Sequence, residues 1–485
     1  MISKLSRSVI AAALLIVSSS TALAQKKQTT DLLIKLAPGT AASALSIGMF
    51  RSSSVEVLND QWVRVQAHEK KSVLFDLLKN DPSIEYVQPN YPIRLLEDYR
   101  PTDSLRRVAM ARYAAKLAAK APAPPKIDNP EIPNAPTNRA GVDPDLGKQW
   151  GMLDIGAAEA WRVTLGSPDM IVAVIDTGVD YTHEDLLPNL WRNPKEIPGN
   201  GIDDDNNGYI DDVIGWDFVS NDNKPYDLAV DQFQLLIGGG NPGHGTHCAG
   251  NVAARGGNSL GIAGVAPNVK IMSLRFISDK GGGTTADAIK SIRYAVDNGA
   301  KVMSNSWGSE GEDPAAGEEN RALRDAVQYA QDKGVLFIAA AGNGHKGKGY
   351  DNDSDPAPAY PASYDHDIII SVAALDVKDQ LGSFSNWGLT KVDIGAPGVN
   401  VYSTTVGSLY SDKVIDVGGF EVTWDGTSMA TPHVAGAAAL YWSLHPNKTW
   451  QEVKAAILGS SKKINSLSGK SVSGGKLDVR ALIKY

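Results

Sequence analysis

The 485-residue chain holds a single cysteine, Cys248. That excludes an intramolecular disulfide, a cysteine-based zinc cluster and an iron–sulfur site. Spanning-length apolar runs are also missing: the longest, Val9–Val17, is shorter than the roughly 20 residues a membrane helix needs. Basic charge is scarce where most of the chain lies. Residues 1–140 carry 19 Lys+Arg against 12 Asp+Glu, and residues 141–485 carry 28 against 43, for a net charge of −8 overall. The acidic larger part argues against nucleic acid as a partner, and the opposite signs predict two parts that attract one another.

What is present is ordinary globular composition, 42% hydrophobic and 21% charged, in a length that suits two or three folded units. Lys4 and Arg7, the apolar run and Ala22-Leu23-Ala24 before Gln25 predict a signal peptide over residues 1–24, cut after Ala24. The alternative is a retained anchor. With the signal removed, no membrane anchor is expected, and the product is secreted or periplasmic. Within 25–96, strand-like alternation at Asp31–Leu36, Trp62–Val65 and Ile84–Val87, with helical spacing at Lys70–Leu78, predicts a small α+β unit. About seventy residues bury little core, so such a unit leans on a partner. Residues 97–142 read as an Ala/Pro-rich linker. From there to Tyr485, buried-type strands at Met170–Ile175, Val269–Leu274, Lys301–Ser304, Val335–Ala340 and Ile368–Ala373 alternate with helical stretches at 284–298, 317–332, 429–443 and 450–458. This predicts an α/β domain, a parallel sheet covered by helices on both faces, with its site at the carboxyl ends of the strands.

Four segments each set one polar group beside glycine. Asp176 follows an apolar strand and precedes Thr177-Gly178. His244 lies in Gly243-His-Gly-Thr-His, and Ser428 in Gly426-Thr-Ser-Met-Ala. Asn343 sits between Gly342 and Gly344 at a strand end. Singly, an Asp there is a turn former and a His or Ser before a helix is a cap. Together they are the parts of acyl transfer: a hydroxyl nucleophile, an imidazole to take its proton, a carboxylate to orient the ring, and an amide donor for the oxyanion.

These blocks resemble the signatures of subtilisin-like serine proteases, in that family's order Asp, His, Asn, Ser. The resemblance implies that Asp176 orients, His244 is general base and acid, Ser428 attacks and Asn343 stabilises the oxyanion. It further implies that Ser306, Trp307 and Gly308 form the edge that pairs with a polypeptide substrate, and that Ala340, Ala341 and Gly342 wall the pocket before the scissile bond. No acidic residue occupies the matching wall positions, including Gly344 and Ala359, so large apolar side chains are expected there. Residues 25–96 resemble the family's prodomain, which implies a ferredoxin-like α+β fold that assists folding and then blocks the cleft as an intramolecular inhibitor. The expected product is therefore a self-processing precursor with a peptidase domain over 143–485. Cys248 follows the His block as in proteinase K-like members, as a buried hydrophobe or a thiol beside the imidazole.

The insertion between Asp176 and His244 contains Asp203-x-Asp205-x-Asn207-Gly208, the start of an EF-hand-like calcium loop. Its twelfth position is Ile214, so Asp211 or Asp212 must replace the usual Glu; a solvated acidic loop is the alternative. Family resemblance implies a second structural calcium at Asp185 and Asn258, with backbone oxygens of Gly256, Leu260 and Ile262 and Asp143 as a further ligand. No cofactor is expected for catalysis. Gly238-x-Gly240-x-x-Gly243 lacks the acidic residue of a dinucleotide site, and His244-x-x-His247-Cys248 packs three ligands too tightly for zinc. The rival functions are a non-catalytic binding protein of the same fold and a calcium-dependent adhesion module.

Overall fold

The computed structural model describes residues 29–41, 54–68, 70–96, 130–133, 141–309, 320–345, 347–417 and 420–485. The expected signal peptide, and the expected linker apart from 130–133 and 141–142, lie outside the described residues. The chain divides into two compact units, residues 1–90 and 91–485. Residues 91–96, the last of the segment expected as the small α+β unit, cluster with the second unit.

In the first unit, β1 (Thr30–Leu36), β2 (Ser54–Val57), β3 (Trp62–Ala67) and β4 (Ile84–Pro89) form an antiparallel sheet in the order β2-β3-β1-β4. Helix α1 (Lys71–Leu78) packs Leu74 and Leu78 against Leu32, Ile34, Val63 and Val65. Alternation every second residue in β1 and β3 is what makes one sheet face apolar. Strand β2 escaped the sequence reading, since four half-exposed residues show no clear period. A ferredoxin-like unit calls for another helix between β1 and β2, where residues 42–53 lie outside the described residues.

The second unit opens with β5 (Pro92–Leu95). Its main sheet contains β6 (Ile171–Asp176), β7 (Gly215–Asp217), β8 (Lys270–Arg275), β10 (Val302–Asn305), β12 (Leu336–Ala340), β13 (Ile369–Leu375) and β14 (Ile394–Pro397). These run parallel in the order β14-β13-β12-β10-β6-β8-β7, and two short strands, Lys462–Lys463 and Gly475–Lys476, extend the β14 edge. The short β9 (Gly282–Thr284) and β11 (Trp307–Gly308) lie outside this sheet. Strands β6, β12 and β13 are almost wholly buried, as expected where helices cover both faces.

The helices that matter for the site are α2 (His244–Ala253), α3 (Thr285–Asp297), α4 (Arg321–Asp332) and α5 (Thr427–Leu444). Helix α3 is amphipathic and starts on Thr284, whose side chain accepts from the Asp287 amide. Helix α5 has no polar face and is buried along nearly its whole length, which identifies it as the central helix. It can lie close to α2 because a Cβ on Gly436 would meet Val265 Cβ at 2.8 Å and the Val252 carbonyl at 3.0 Å. Among the described residues, no helix is long and apolar enough to cross a membrane.

Candidate active site

Strand β6 carries Asp176 to its carboxyl end, and α2 begins with His244. The imidazole Nδ1 lies 2.7 Å from Asp176 Oδ1, which also accepts from the Thr177 amide at 2.7 Å. Both side chains are fully buried. Since a carboxylate only accepts, Nδ1 carries the proton and Nε2 is the basic nitrogen. The helix start is held by Asn241, whose Oδ1 accepts from the Gly243 and His244 amides at 2.9 and 3.0 Å. Asn241 donates in turn to Asp227 at 2.6 Å, and Asp227 accepts from the Thr246 amide and hydroxyl. Gly245 has no substitute here, because a Cβ would sit 2.1 Å from the Gly178 carbonyl. Burial opposes the imidazolium, but the Asp176 charge outweighs it and holds His244 well above the ordinary imidazole range.

Helix α5 places Ser428 in its first turn, also fully buried. Pro432 lies four residues on and has no N–H, so the Ser428 carbonyl loses its helical donor. Two side chains supply the loss: Ser306 Oγ donates to that carbonyl at 2.9 Å and Cys248 Sγ at 3.6 Å. Ser428 Oγ donates to the Ser306 carbonyl at 3.1 Å, so serines 306 and 428 hold each other reciprocally. Cys248 Sγ is also 3.9 Å from His244 Nδ1, so one sulfur atom contacts both the imidazole and the Ser428 backbone. Its thiol is fully buried, and that burial pushes it up. The neutral sulfur acts here as packing and a weak donor.

Asn343 follows β12, and its Oδ1 accepts from both the Thr427 amide and hydroxyl at 2.9 Å. The oxygen being engaged, the amide nitrogen is the donor of this side chain, and Ser428 lies in the first turn of α5, at the positive end of that helix. Ala340, Ala341 and Gly342 are buried. Gly342 has φ +110°, and a Cβ there would lie 2.3 Å from Asn386 Nδ2 and 2.8 Å from Ala359 Cβ, so its nearest neighbours are small or uncharged.

Of the expected edge, Trp307 and Gly308 form β11, Ser306 precedes it, and β11 is paired. Strand β5 pairs antiparallel with β11 on one side, Leu95 with Trp307 and Arg94 with Gly308. On the other it pairs with β9, Pro92 with Thr284, Ile93 with Gly283 and Arg94 with Gly282. Four residues of this chain thus form the middle strand of a three-stranded sheet, which is how a polypeptide docks by strand addition.

In the acidic insertion, two of the expected residues meet a carboxylate that precedes them. Glu196, Asp203 and Asp205 each bring an oxygen within 4.8 Å of the others. Glu196 Oε1 accepts from the Asp204 amide at 2.9 Å, whereas Oε2 is buried and lacks a hydrogen-bond partner among the described residues. Glu196 is only 7% exposed, and burial raises its carboxyl. A buried carboxylate with an orphaned oxygen, grouped with two further carboxylates, fits a calcium ion. Every carboxylate of the loop also accepts hydrogen bonds: Asp203 from the amides of Asn207 and Gly208, and Asp205 from the Asn207 amide and Asn193. Asp211 accepts from the amides of Gly199, Asn200 and Gly201, and Asp212 from Asn193, Asn207 and Tyr294. Asn207 gives its amide nitrogen to Asp212 at 2.9 Å. Glu196 was missed because it precedes the loop in sequence, and only the fold returns it.

The second expected set also assembles, but its oxygens are taken. Asp185 accepts from Asn258 Nδ2 at 2.7 Å, the Ile262 amide at 3.0 Å and the Tyr410 hydroxyl at 3.1 Å. Burial, against those donors, pushes its carboxyl up to about 6. Asp143 accepts from the amides of Gly257 and Asn258, and Asn258 Oδ1 from that of Leu260. No orphaned oxygen marks this cage among the described residues, although Gly256, Leu260 and Ile262 surround it in sequence. His247 is not a metal ligand candidate: its Nε2 lies 3.1 Å from the Val401 carbonyl and its ring stacks on Trp424 with centroids 4.2 Å apart. Burial keeps it neutral, well below the ordinary range.

Residues 167–474 match the family described as the subtilase family. The chain is 37% identical over 339 residues to the "Thermophilic serine proteinase" of Bacillus sp. (strain AK1), covering 70% of this chain and 68% of that protein. It is 36% identical over 338 residues to the "Thermitase" of Thermoactinomyces vulgaris, covering 70% of this chain and 96% of that protein. It is 28% identical over 457 residues to the "Halolysin-like extracellular serine protease Nep" of Natrialba magadii, covering 92% of this chain and 68% of that protein.

Proposed function

The chain belongs to the subtilase family and is a serine endopeptidase; from that premise we propose how its own residues act. Ser428 Oγ attacks the scissile carbonyl of a polypeptide while His244 Nε2 takes the hydroxyl proton. Since Ser428 donates to the Ser306 carbonyl in this structure, the hydroxyl rotates toward the imidazole before attack. Asp176 holds the ring in the required tautomer and stabilises the imidazolium that forms. The amides of Asn343 and Ser428 receive the oxyanion. His244 then protonates the leaving amine, and water frees the acyl-enzyme. The observation that carries this reading is the buried Asp176–His244 pair, one sulfur atom away from the Ser428 carbonyl.

Substrate lies between β9 and β11, and the small, uncharged wall at Ala340–Gly342 selects a large apolar side chain before the scissile bond. The protein is made with a signal peptide as a secreted or periplasmic precursor, and its first unit is an inhibitory prodomain. A structural calcium ion is held by Glu196, Asp203 and Asp205, with Asn207 at the loop. It stabilises the native state and takes no part in the chemistry. A fluorophosphonate probe labels only an activated serine. Wild-type protein should be labelled and Ser428→Ala should not; equal labelling of both would remove Ser428 from its role.

A further inference from the structure

We propose that the first self-cleavage of the precursor breaks the peptide bond on the carboxyl side of Leu96. This rests on the reading of Ser428 as nucleophile and adds to it a position, fixed by register. Arg94 faces Gly308 and Leu95 faces Trp307, so the next residue of an antiparallel pair, Leu96, comes level with Ser306. Ser306 is the residue tied to the nucleophile in both directions, its carbonyl to Ser428 Oγ at 3.1 Å and its hydroxyl to the Ser428 carbonyl at 2.9 Å. Leu96 is therefore the residue of this strand set against the nucleophile. Its side chain lies over Gly308, with Cδ2 3.2 Å from where a Cβ would project, so the glycine makes the room that it fills.

The register is held from both sides. Pairing with β9 adds three further residue matches, and the Tyr91 carbonyl accepts from the Thr285 amide at 2.9 Å. Side chains agree with it: Ile93 is buried at 2%, while Pro92 and Arg94 are exposed. Sliding the strand by one residue in one direction buries Arg94 in place of Ile93 and brings Glu97 against Ser306. A one-residue slide the other way exposes Ile93. Two-residue slides bring Arg94 or Asp98 against Ser306. Each alternative either places a charge at an apolar position or withdraws an apolar group from one.

In the step itself, Ser428 Oγ bonds to the Leu96 carbonyl carbon and its proton passes to His244. The bond to the Glu97 nitrogen breaks as His244 returns that proton to the new amine. One water then hydrolyses the Leu96 ester and restores the Ser428 hydroxyl.

The test is a time course of the purified full-length precursor, followed by intact mass and N-terminal sequencing of the earliest products. A first new N-terminus of Glu97-Asp98-Tyr99-Arg100 supports the proposal. Leu96→Asp should slow that cut by about tenfold or more, because an apolar pocket must then take a charge, and Leu96→Met should retain it. An earliest cut at any other bond overturns the proposal, as does unchanged cleavage in Leu96→Asp. Fluorophosphonate labelling separates the two levels. With Ser428 labelled and the cut elsewhere, the position alone fails; with no labelling, the catalytic reading fails too.

Discussion

Asn343→Leu isolates the oxyanion donor. Leucine keeps the bulk of the side chain and removes both its amide donor and the oxygen that Thr427 grips from its amide and hydroxyl at 2.9 Å. In the proposed mechanism two donors face the oxyanion, Asn343 Nδ2 and the Ser428 amide, and the second is backbone and survives. Loss of one such donor, for which subtilisin itself is the reference case, costs about 2.7–4 kcal/mol in the transition state, or roughly 10²–10³ in kcat. KM should move little, because the ground-state carbonyl makes weaker use of the same donor. Thr427→Val provides the graded comparison. It removes one of two hydrogen bonds that orient Asn343, worth about 0.5–1.5 kcal/mol, or roughly 2–12-fold in rate. It also takes an acceptor from the Gly342 amide at 3.2 Å, so part of the effect appears as lost stability. Steady-state kinetics on a chromogenic peptide, with circular dichroism to confirm folding, reads both variants. A folded Asn343→Leu enzyme within about threefold of wild-type kcat would refute the assignment.

Cys248→Ser should keep most of its activity, since a hydroxyl can still donate to the Ser428 carbonyl left bare by Pro432; abolished peptidase turnover would make the thiol itself the nucleophile. Calcium at Glu196 should raise the melting temperature, with about 2.7 kcal/mol expected at a hundredfold excess over Kd. Glu196→Gln should abolish the difference between calcium and EGTA in a thermal scan, and an undiminished calcium effect would place the ion elsewhere. His433 gives a pH dependence. Burial, against its contact with the Met429 carbonyl, drops its imidazole to about 4, whereas the unfolded ring protonates near 6.5. The unfolded chain therefore binds more protons between those values, and stability falls as pH falls from 6.5 toward 4, by on the order of 3 kcal/mol. Urea unfolding at pH 7, 5.5 and 4.5 should show His433→Asn losing less on acidification than wild type; parallel losses would count against it.

Strands and helices with a strong period were legible before any coordinates. The strand read at Met170–Ile175 is Ile171–Asp176, and the helix read at 284–298 is Thr285–Asp297. Strands β5, β7 and β9 were not, because three or four residues carry no period and form only where a neighbouring edge supplies their hydrogen bonds.

The parts of the catalytic chemistry follow from local chemistry, since each sits at a strand end or helix start that its own flanking glycines and apolar run predict. Residue types picked out the four segments, and resemblance to a known family gave Asp176, His244, Asn343 and Ser428 their expected roles. What only tertiary structure decided is the company each keeps. Glu196 joins Asp203 and Asp205 after the chain turns back, Ser306 and Cys248 answer a carbonyl freed by a proline on another element, and Leu96 comes level with Ser306 through pairing across two hundred residues. These relations depend on distances between remote segments, and a sequence records the order of its groups while folding sets their separations in space.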